Sequence, residues 1–167
     1  MAEDAREKLI RYLNDTHAAE EAAIPSMEAI RDEAIDADLK RAIEQHIAVT
    51  RSQADRLEAR IHALGGTVNR AKSLVNTVIG VGSHLVNLFH DKEDKQTQDL
   101  IKATALEQFE VSTYAALETY AESVGDSETA RLAREIGAEE EQARQTLARL
   151  VPQVAAYALN RTEPVRI

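Results

Sequence analysis

Ionisable side chains occur where an amphipathic helix normally places apolar ones. In the segment DTHAAEEAAIP, residues 15–25, His17 and Glu20 lie on one helical line, which Leu13 and Ile24 continue in both directions. Burying a carboxylate is costly unless its charge is neutralised. A divalent cation is one means of neutralisation, because carboxylate oxygens together with imidazole nitrogens suit iron, manganese or zinc.

Three further apolar stripes also turn polar near their middle. The polar positions are His46, Thr50 and Gln53 in the second stripe, Glu107, Glu110 and Tyr114 in the third, and Glu139 or Glu140 in the fourth. Each set lies roughly 15 residues from the nearest predicted turn, so a rise of about 1.5 Å per residue brings the sets level. The pattern predicts one polar centre at mid-height of a helical bundle.

Each of these residues also has an ordinary structural interpretation. Acidic runs such as those containing Glu20 and Glu140 are typical of solvated helix faces. A histidine such as His46 on an apolar stripe is often a hydrogen-bonded core residue, and Tyr114 is typical of packing. The agreement of all four helices at one height favours the polar centre over these separate explanations.

Helical patterns cover residues 3–34, 39–64, 97–124 and 127–150. Asp36 or Asp38 is expected to cap the second helix and Gly65–Gly66 to end it, while Gly125 ends the third and Asp126 or Ser127 caps the fourth. Two hairpins joined by a crossover at 65–96, with a short extra helix inside it, predict an all-α, ferritin-like four-helix bundle. One domain spans 1–158, and a mobile tail follows at 159–167.

Composition excludes several classes of function. The formal net charge of −9 repels nucleic acid, and the absence of cysteine excludes disulfides and thiolate chemistry. The apolar run from Leu74 to Phe89 is shorter than the about 20 residues that a membrane span requires. The charged amino-terminal residues MAEDAREKL do not form a signal peptide. A cytoplasmic protein without a nucleic-acid partner or a membrane span is therefore expected.

Four segments resemble the YciE/YciF-type ferritin-like stress-protein family: DTHAAEE, IEQHIAVTRSQADRLEARIHALGG, ALEQFEVSTYAAL and AEEEQARQTLARL. The resemblance covers residues 6–151. It implies an antiparallel bundle similar to rubrerythrin, a homodimer, an iron or manganese site and a role in stress response. Carried over by position, it implies metal ligands at Glu20, His46, Glu107, Glu110 and Glu140.

The sequence also departs from this family's pattern. Relatives tend to carry acidic residues where this chain has Ala48 and Val49. The Glu-x-x-His spacing of complete di-iron sites is replaced by Thr50 and Gln53 in the second helix, and Ala143 stands three residues after Glu140 in the fourth. These departures leave a weak, asymmetric or vestigial site as an alternative.

Two functional hypotheses follow. The first is a di-metal carboxylate protein with ferroxidase or peroxide-reducing activity, in which the five implied ligands hold iron or manganese. His17 then acts as a ligand or supports one, and the other supporting residues are Thr50, Gln53, Tyr114 and Glu139. The second is a non-enzymatic dimeric stress or scaffold protein, whose polar centre is satisfied internally and whose partner contact is the run from Leu74 to Phe89.

Overall fold

A computed structural model describes residues 2–69 and 94–159. It contains the helices α1 (Glu3–Glu33), α2 (Ala37–Ala63), α3 (Lys95–Ser123) and α4 (Ser127–Leu159). None of these helices has a stretch long and apolar enough to cross a membrane. The predicted crossover helix, the run from Leu74 to Phe89 and nearly all of the predicted tail lie outside the described residues.

The helices form two hairpins that pack into a four-helix bundle. Helix α1 packs against α2, and α3 packs against α4. Between the hairpins, α2 lies beside α4 and α1 lies beside α3. This arrangement, with its long connection between α2 and α3, confirms the predicted all-α bundle.

Turn and cap residues end the helices at predictable places. Asp36 caps α2, because its Oδ1 accepts hydrogen bonds from the backbone N–H groups of Asp38 (3.0 Å) and Leu39 (2.8 Å). Gly65 and Gly125 each have a φ of 77°, the left-handed conformation that glycine adopts most readily after a helix. Asp126 accepts a bond from the N–H of Thr129 at 3.0 Å and so caps α4.

Helix α4 is longer than the sequence pattern predicts. The pattern ends the helix near residue 150, with a resumption after Pro152 through Tyr157 as an alternative, whereas the structure continues it without a break through Pro152 to Leu159. Proline removes one helical hydrogen bond, but packing compensates here: Val154 is buried in the same apolar cluster as Leu39 and Leu147. Gln153 also donates a hydrogen bond to Asp36 Oδ2 at 2.8 Å, which joins the end of α4 to the start of α2.

Two apolar clusters fill the bundle, one towards each end. The cluster at the end where the chain leaves α2 includes Leu9, Leu13, Leu57, Ile61, Leu117 and Ile136. The cluster at the other end includes Met27, Leu39, Ile43, Leu100, Leu147 and Val154. Burying each large side chain stabilises the fold by about 1.5–3 kcal/mol. The polar middle of the bundle is therefore closed by apolar packing on both sides.

Helix α1 holds both ends of the crossover. Near its start, Asn14 donates from Nδ2 to Thr67 O (3.3 Å) and accepts at Oδ1 from the N–H of Asn69 (2.7 Å). At its other end, Glu33 forms an ion pair with Lys95, and its carbonyl oxygen accepts from Gln96 Nε2 at 2.9 Å. The chain thus leaves and rejoins the bundle at opposite ends of α1.

Candidate metal centre

The structure buries every residue that the sequence marks as a candidate ligand. Each lies at mid-helix, between the two apolar clusters, where the helix period turns its side chain inward. The exposed fractions are 1% for Glu20, 7% for His46, 2% for Glu107, 5% for Glu110 and 0% for Glu140. Four carboxylates and one imidazole therefore share the interior of the bundle.

Three of the five side chains form a compact group. His46 Nε2 lies 3.0 Å from Glu107 Oε2 and 3.8 Å from Glu140 Oε2. One ligand atom from each of the three residues lies within 4.8 Å of the other two. Burial alone would lower the pKa of His46, but the contact with Glu107 and the negative charge of Glu20 raise it. The imidazole is therefore held where negative charge accumulates.

Glu20 approaches the centre from α1 and is held by a tyrosine on α3. The hydroxyl of Tyr114 donates a hydrogen bond to Glu20 Oε1 across the bundle. Burial raises the pKa of Glu20 to about 7, even though this hydrogen bond favours the ionised form. Burial is the largest cause of the raised pKa of Glu110 and Glu140, and charge repulsion from Glu20 adds to it, although Glu20 is not a member of the compact group of three.

Several buried oxygen atoms at the centre have no hydrogen-bond partner among the described residues. They include Thr50 Oγ1, Gln53 Oε1, Glu110 Oε1 and Glu140 Oε2. Burial and neighbouring carboxylates raise the pKa of both Glu110 and Glu140. Hard oxygen donors without partners, next to an imidazole, are the donor set that a divalent iron or manganese ion requires. The residues present therefore fit a bound cation.

The structure separates Glu139 from Glu140, which the sequence left as alternatives. Glu140 is fully buried, whereas the side chain of Glu139 is 37% exposed. Gln53 Nε2 donates to both residues, at 3.1 Å to Glu139 Oε2 and in a shorter contact to Glu140 Oε1. Glu139 also forms an ion pair with Arg56, a residue that the sequence patterns did not single out. The sequence gives no signal for Arg56, because an arginine beside an apolar stripe is usually solvated. Its ion pair with Glu139 is visible only once α2 and α4 are packed together.

His17 is buried but lies apart from the compact group. Its Nε2 is 4.0 Å from Glu58 Oε2 on α2, and the side chain is 4% exposed. The compact group of His46, Glu107 and Glu140 does not include it. The structure therefore places His17 beside Glu58, on the side of the centre that faces the α1–α2 contact.

Gly137 on α4 is a second residue that sequence reasoning missed. A Cβ atom at this position would lie 3.2 Å from Tyr114 Cβ, which is closer than almost all real Cβ contacts. A glycine inside a helix costs about 1 kcal/mol relative to alanine. The close approach of α4 to Tyr114 explains why the helix carries one here.

The chain matches one family model over residues 4–160, described as "Domain of unknown function (DUF892)". No curated protein sequence matches it significantly. Solved structures with the same fold include a protein from Xanthomonas campestris, with 24% identity, a TM-score of 0.78 and coverage of 95% of this chain and 97% of that one.

Two further similar structures have descriptive names. The stress protein YciF from E. coli is 20% identical, with a TM-score of 0.76 and coverage of 96% of this chain and 100% of that one. A ferritin-like, diiron-carboxylate protein from Bacillus anthracis is 21% identical, with a TM-score of 0.69 and coverage of 90% and 99%. At these identities the similarity establishes the ferritin-like fold.

Proposed function

Because this chain belongs to the DUF892 family and has a ferritin-like fold, we propose that it is a di-metal carboxylate protein of the stress response. The observation that carries the proposal is the buried group of His46, Glu107 and Glu140, whose ligand atoms lie within 4.8 Å of one another. Glu20 and Glu110 complete the proposed ligand set. Both are buried, and their charges are coupled to those of the group.

The chemistry of the side chains supports this proposal. Four carboxylates in one interior repel one another, and the arginine and histidine nearby do not balance them. A divalent cation offsets this repulsion, and its binding releases the protons that the raised pKa values of Glu110 and Glu140 retain. Bound iron or manganese would supply the electron transfer to dioxygen or peroxide that a ferroxidase or a peroxide-reducing protein uses.

The protein's own residues have separate tasks in this proposal. Glu107 and Glu140 each offer an oxygen to the same region as the His46 nitrogen. Tyr114 orients Glu20 through its hydroxyl, and Gln53 orients Glu140 through its amide. The apolar clusters above and below keep bulk water away from these groups. A homodimer in the cytoplasm, as expected from the resemblance and the sequence, is part of the same proposal.

A non-enzymatic structural protein is the second candidate, and one set of contacts favours it. The hydrogen bonds of Tyr114 to Glu20 and of Gln53 to Glu140, together with the close approach of His46 to Glu107, satisfy part of the centre without a metal. In this alternative the polar centre fixes the register of the helices. It predicts that a chelator leaves the melting temperature unchanged.

Metal content after anaerobic loading tests the proposal. The protein is incubated with ferrous iron, or separately with manganese(II), desalted and measured by elemental analysis. We expect about two ions per chain, as in di-metal carboxylate bundles, and a loss of most of this metal in Glu140→Gln. The matched control is Glu135→Gln, which changes an exposed glutamate on the same helix and should retain the metal of the wild type.

The outcomes separate the two candidates. Metal that is absent from the wild type under both conditions would overturn the di-metal proposal and leave the structural one. Metal that persists unchanged in Glu140→Gln and Glu107→Gln would place the binding site elsewhere. A wild-type melting temperature that rises on loading and falls with chelator agrees with binding to the folded state.

A further inference from the structure

A line of polar side chains on α2 leads from the buried centre to the surface. Thr50, Gln53 and Arg56 are spaced by three residues and so follow one face of the helix. Thr50 and Gln53 are 1% and 0% exposed, whereas the Arg56 side chain is 30% exposed. On α4 the same step in depth occurs between fully buried Glu140 and half-exposed Glu139.

Contacts between the two helices make this line continuous. Arg56 and Gln53 both donate to the same oxygen, Oε2 of Glu139, and Gln53 also donates to Glu140. The amide oxygen of Gln53 is buried and has no hydrogen-bond partner among the described residues. An amide oxygen is a good ligand for a hard cation. The unpartnered oxygen of Gln53 is therefore available to bind an ion that passes it.

We propose that Glu139, Gln53 and Arg56 form the route by which a divalent cation reaches the buried centre, with the Arg56–Glu139 ion pair as its outer gate. The inference rests on the proposed function, since it presupposes that the centre binds a metal. An arriving cation replaces the guanidinium of Arg56 at Glu139. Gln53 then presents its free oxygen inward, and the cation moves on to the Glu140 carboxylate.

Charge supports this assignment. Arg56 is paired with Glu139 at the outer end of the line, and both side chains are partly exposed. It therefore occupies a position that already attracts positive charge. Apart from this pair, the guanidinium donates only to the backbone oxygen of Ser52 on its own helix, at 3.3 Å, among the described residues. Such a pair is exchanged readily, because exposed ion pairs contribute little stability.

The rate of metal uptake tests the route. Cobalt(II) alone serves as the probe, because its absorbance changes on binding and can be followed by stopped flow. In Glu139→Gln we expect association and dissociation both to slow by about tenfold, the size of effect that local charge has on the capture of an ion. In Arg56→Met both rates should rise, since the competing cation is gone, and Arg56→Lys should stay near the wild type.

If the association and dissociation rates change by the same factor, the residue lies on the entry route. If it only positions Glu140, the two rates change by different factors. A route residue alters the barrier alone, whereas a residue that only holds Glu140 alters dissociation and therefore the affinity. The control pair is Arg51 and Glu28, which join α2 to α1 at 2.7 Å with side chains 57% and 36% exposed. Arg51→Met and Glu28→Gln should keep wild-type rates at 0.15 M salt, where charges are screened beyond about 8 Å.

Each other outcome overturns the inference. A change confined to dissociation would make Glu139 and Arg56 supports of the ligand, and equal changes in the control pair would reduce the effect to net charge. Rates that stay at wild-type values in Glu139→Gln and Arg56→Met would place the route on another face. A wild type that binds no cobalt would instead remove the proposed function itself.

Discussion

Carboxylates are buried in two regions of this bundle, and the two regions treat them in opposite ways. At the turn between α3 and α4, Asp126 is 7% exposed and meets Arg60, whose Nη2 lies 2.7 Å from both carboxylate oxygens. Arg60 also donates to Thr129 Oγ1 at 2.9 Å. At the centre, four glutamates are buried to a similar degree, and His46 lies within ion-pair distance of two of them, Glu107 and Glu140.

The direction of the pKa shifts follows this difference. Burial alone would raise the pKa of Asp126, but the hydrogen bonds from the Thr129 N–H and from Arg60 outweigh it and lower the pKa. At the centre burial is the largest cause and charge repulsion adds to it, so the pKa of Glu110 rises well above its usual range. The turn is a completed structural ion pair, whereas the positive charge at the centre is too small to balance its four carboxylates. An excess of buried carboxylates with raised pKa values is what a cation-binding site requires.

The largest expected effect on stability comes from breaking the completed pair. Arg60→Met leaves Asp126 buried without its cation, so we expect the free energy of unfolding to fall by about 4 kcal/mol. Urea denaturation measures this loss. Arg134→Met removes an arginine whose pairs with Glu118 and Glu122 are exposed, and it should leave stability nearly unchanged. A loss of metal binding in folded Arg60→Met would mean that the two regions are not independent.

At the centre, a substitution should have the opposite effect on stability, because replacing a buried carboxyl there should raise the free energy of unfolding of the metal-free protein. In the unfolded chain Glu110 ionises near the ordinary glutamate pKa of 4.5, while the folded protein keeps it protonated to much higher pH. Its contribution to the stability of the metal-free protein is therefore present below pH 4.5 and is lost as the pH rises; for Glu20 the loss extends to about pH 7. We expect Glu110→Gln to be more stable than the wild type by about 2 kcal/mol at pH 8.

Denaturation in the presence of a chelator at about pH 4.5 and pH 8, on either side of the expected titration, checks this expectation. The advantage of Glu110→Gln should shrink at the lower pH, where the wild-type carboxyl is protonated in the folded state and about half protonated in the unfolded one. A metal reverses the order, because it favours the ionised carboxylates, so the loaded wild type should be the more stable protein at the higher pH. A metal-free wild type whose advantage over Glu110→Gln grows with pH would contradict the assigned shifts.

The smallest expected effect concerns the contact between Gly137 and Tyr114. Gly137→Ala gains helix propensity but places a Cβ 3.2 Å from Tyr114 Cβ, so the two terms offset each other to within about 1 kcal/mol. The displaced tyrosine should then hold Glu20 less tightly. Faster exchange of the Tyr114 hydroxyl proton measures this change, and the resonance is identified by its absence in Tyr114→Phe. If the Tyr114 hydroxyl proton of Gly137→Ala exchanges as slowly as in the wild type, α4 has shifted to accommodate the new Cβ and the tyrosine has not.

Helix periodicity accounts for the part of the centre that the sequence predicts. Glu20, His46, Glu107 and Glu110 lie on apolar stripes, and Asp36 and Gly125 mark the turns from which their heights are counted. Side chains that share a stripe and a height must meet in a bundle. The burial of these residues therefore follows from local rules alone.

The other features depend on how the helices are rotated and packed. Consecutive glutamates at 139 and 140 point about 100° apart, and only the packing of α4 buries the second one. Arg56 and Arg60 have long side chains that contact Glu139 on α4 and Asp126 in the α3–α4 turn. The spacing of residues along α2 does not predict these contacts. Pro152 stays within α4 because tertiary burial of Val154 outweighs the local preference to stop.

The anchoring of both crossover ends to α1 has a consequence for proteolysis and for split-protein engineering. Thr67 and Asn69 are bound to Asn14, and Lys95 and Gln96 are bound to Glu33. A single cut between residues 70 and 93 therefore leaves two hairpins that remain joined to each other through the bundle, with these four residues still bound to α1. Nicked protein should stay assembled as a two-chain complex, and the two hairpins expressed as separate polypeptides should be able to reconstitute the same centre.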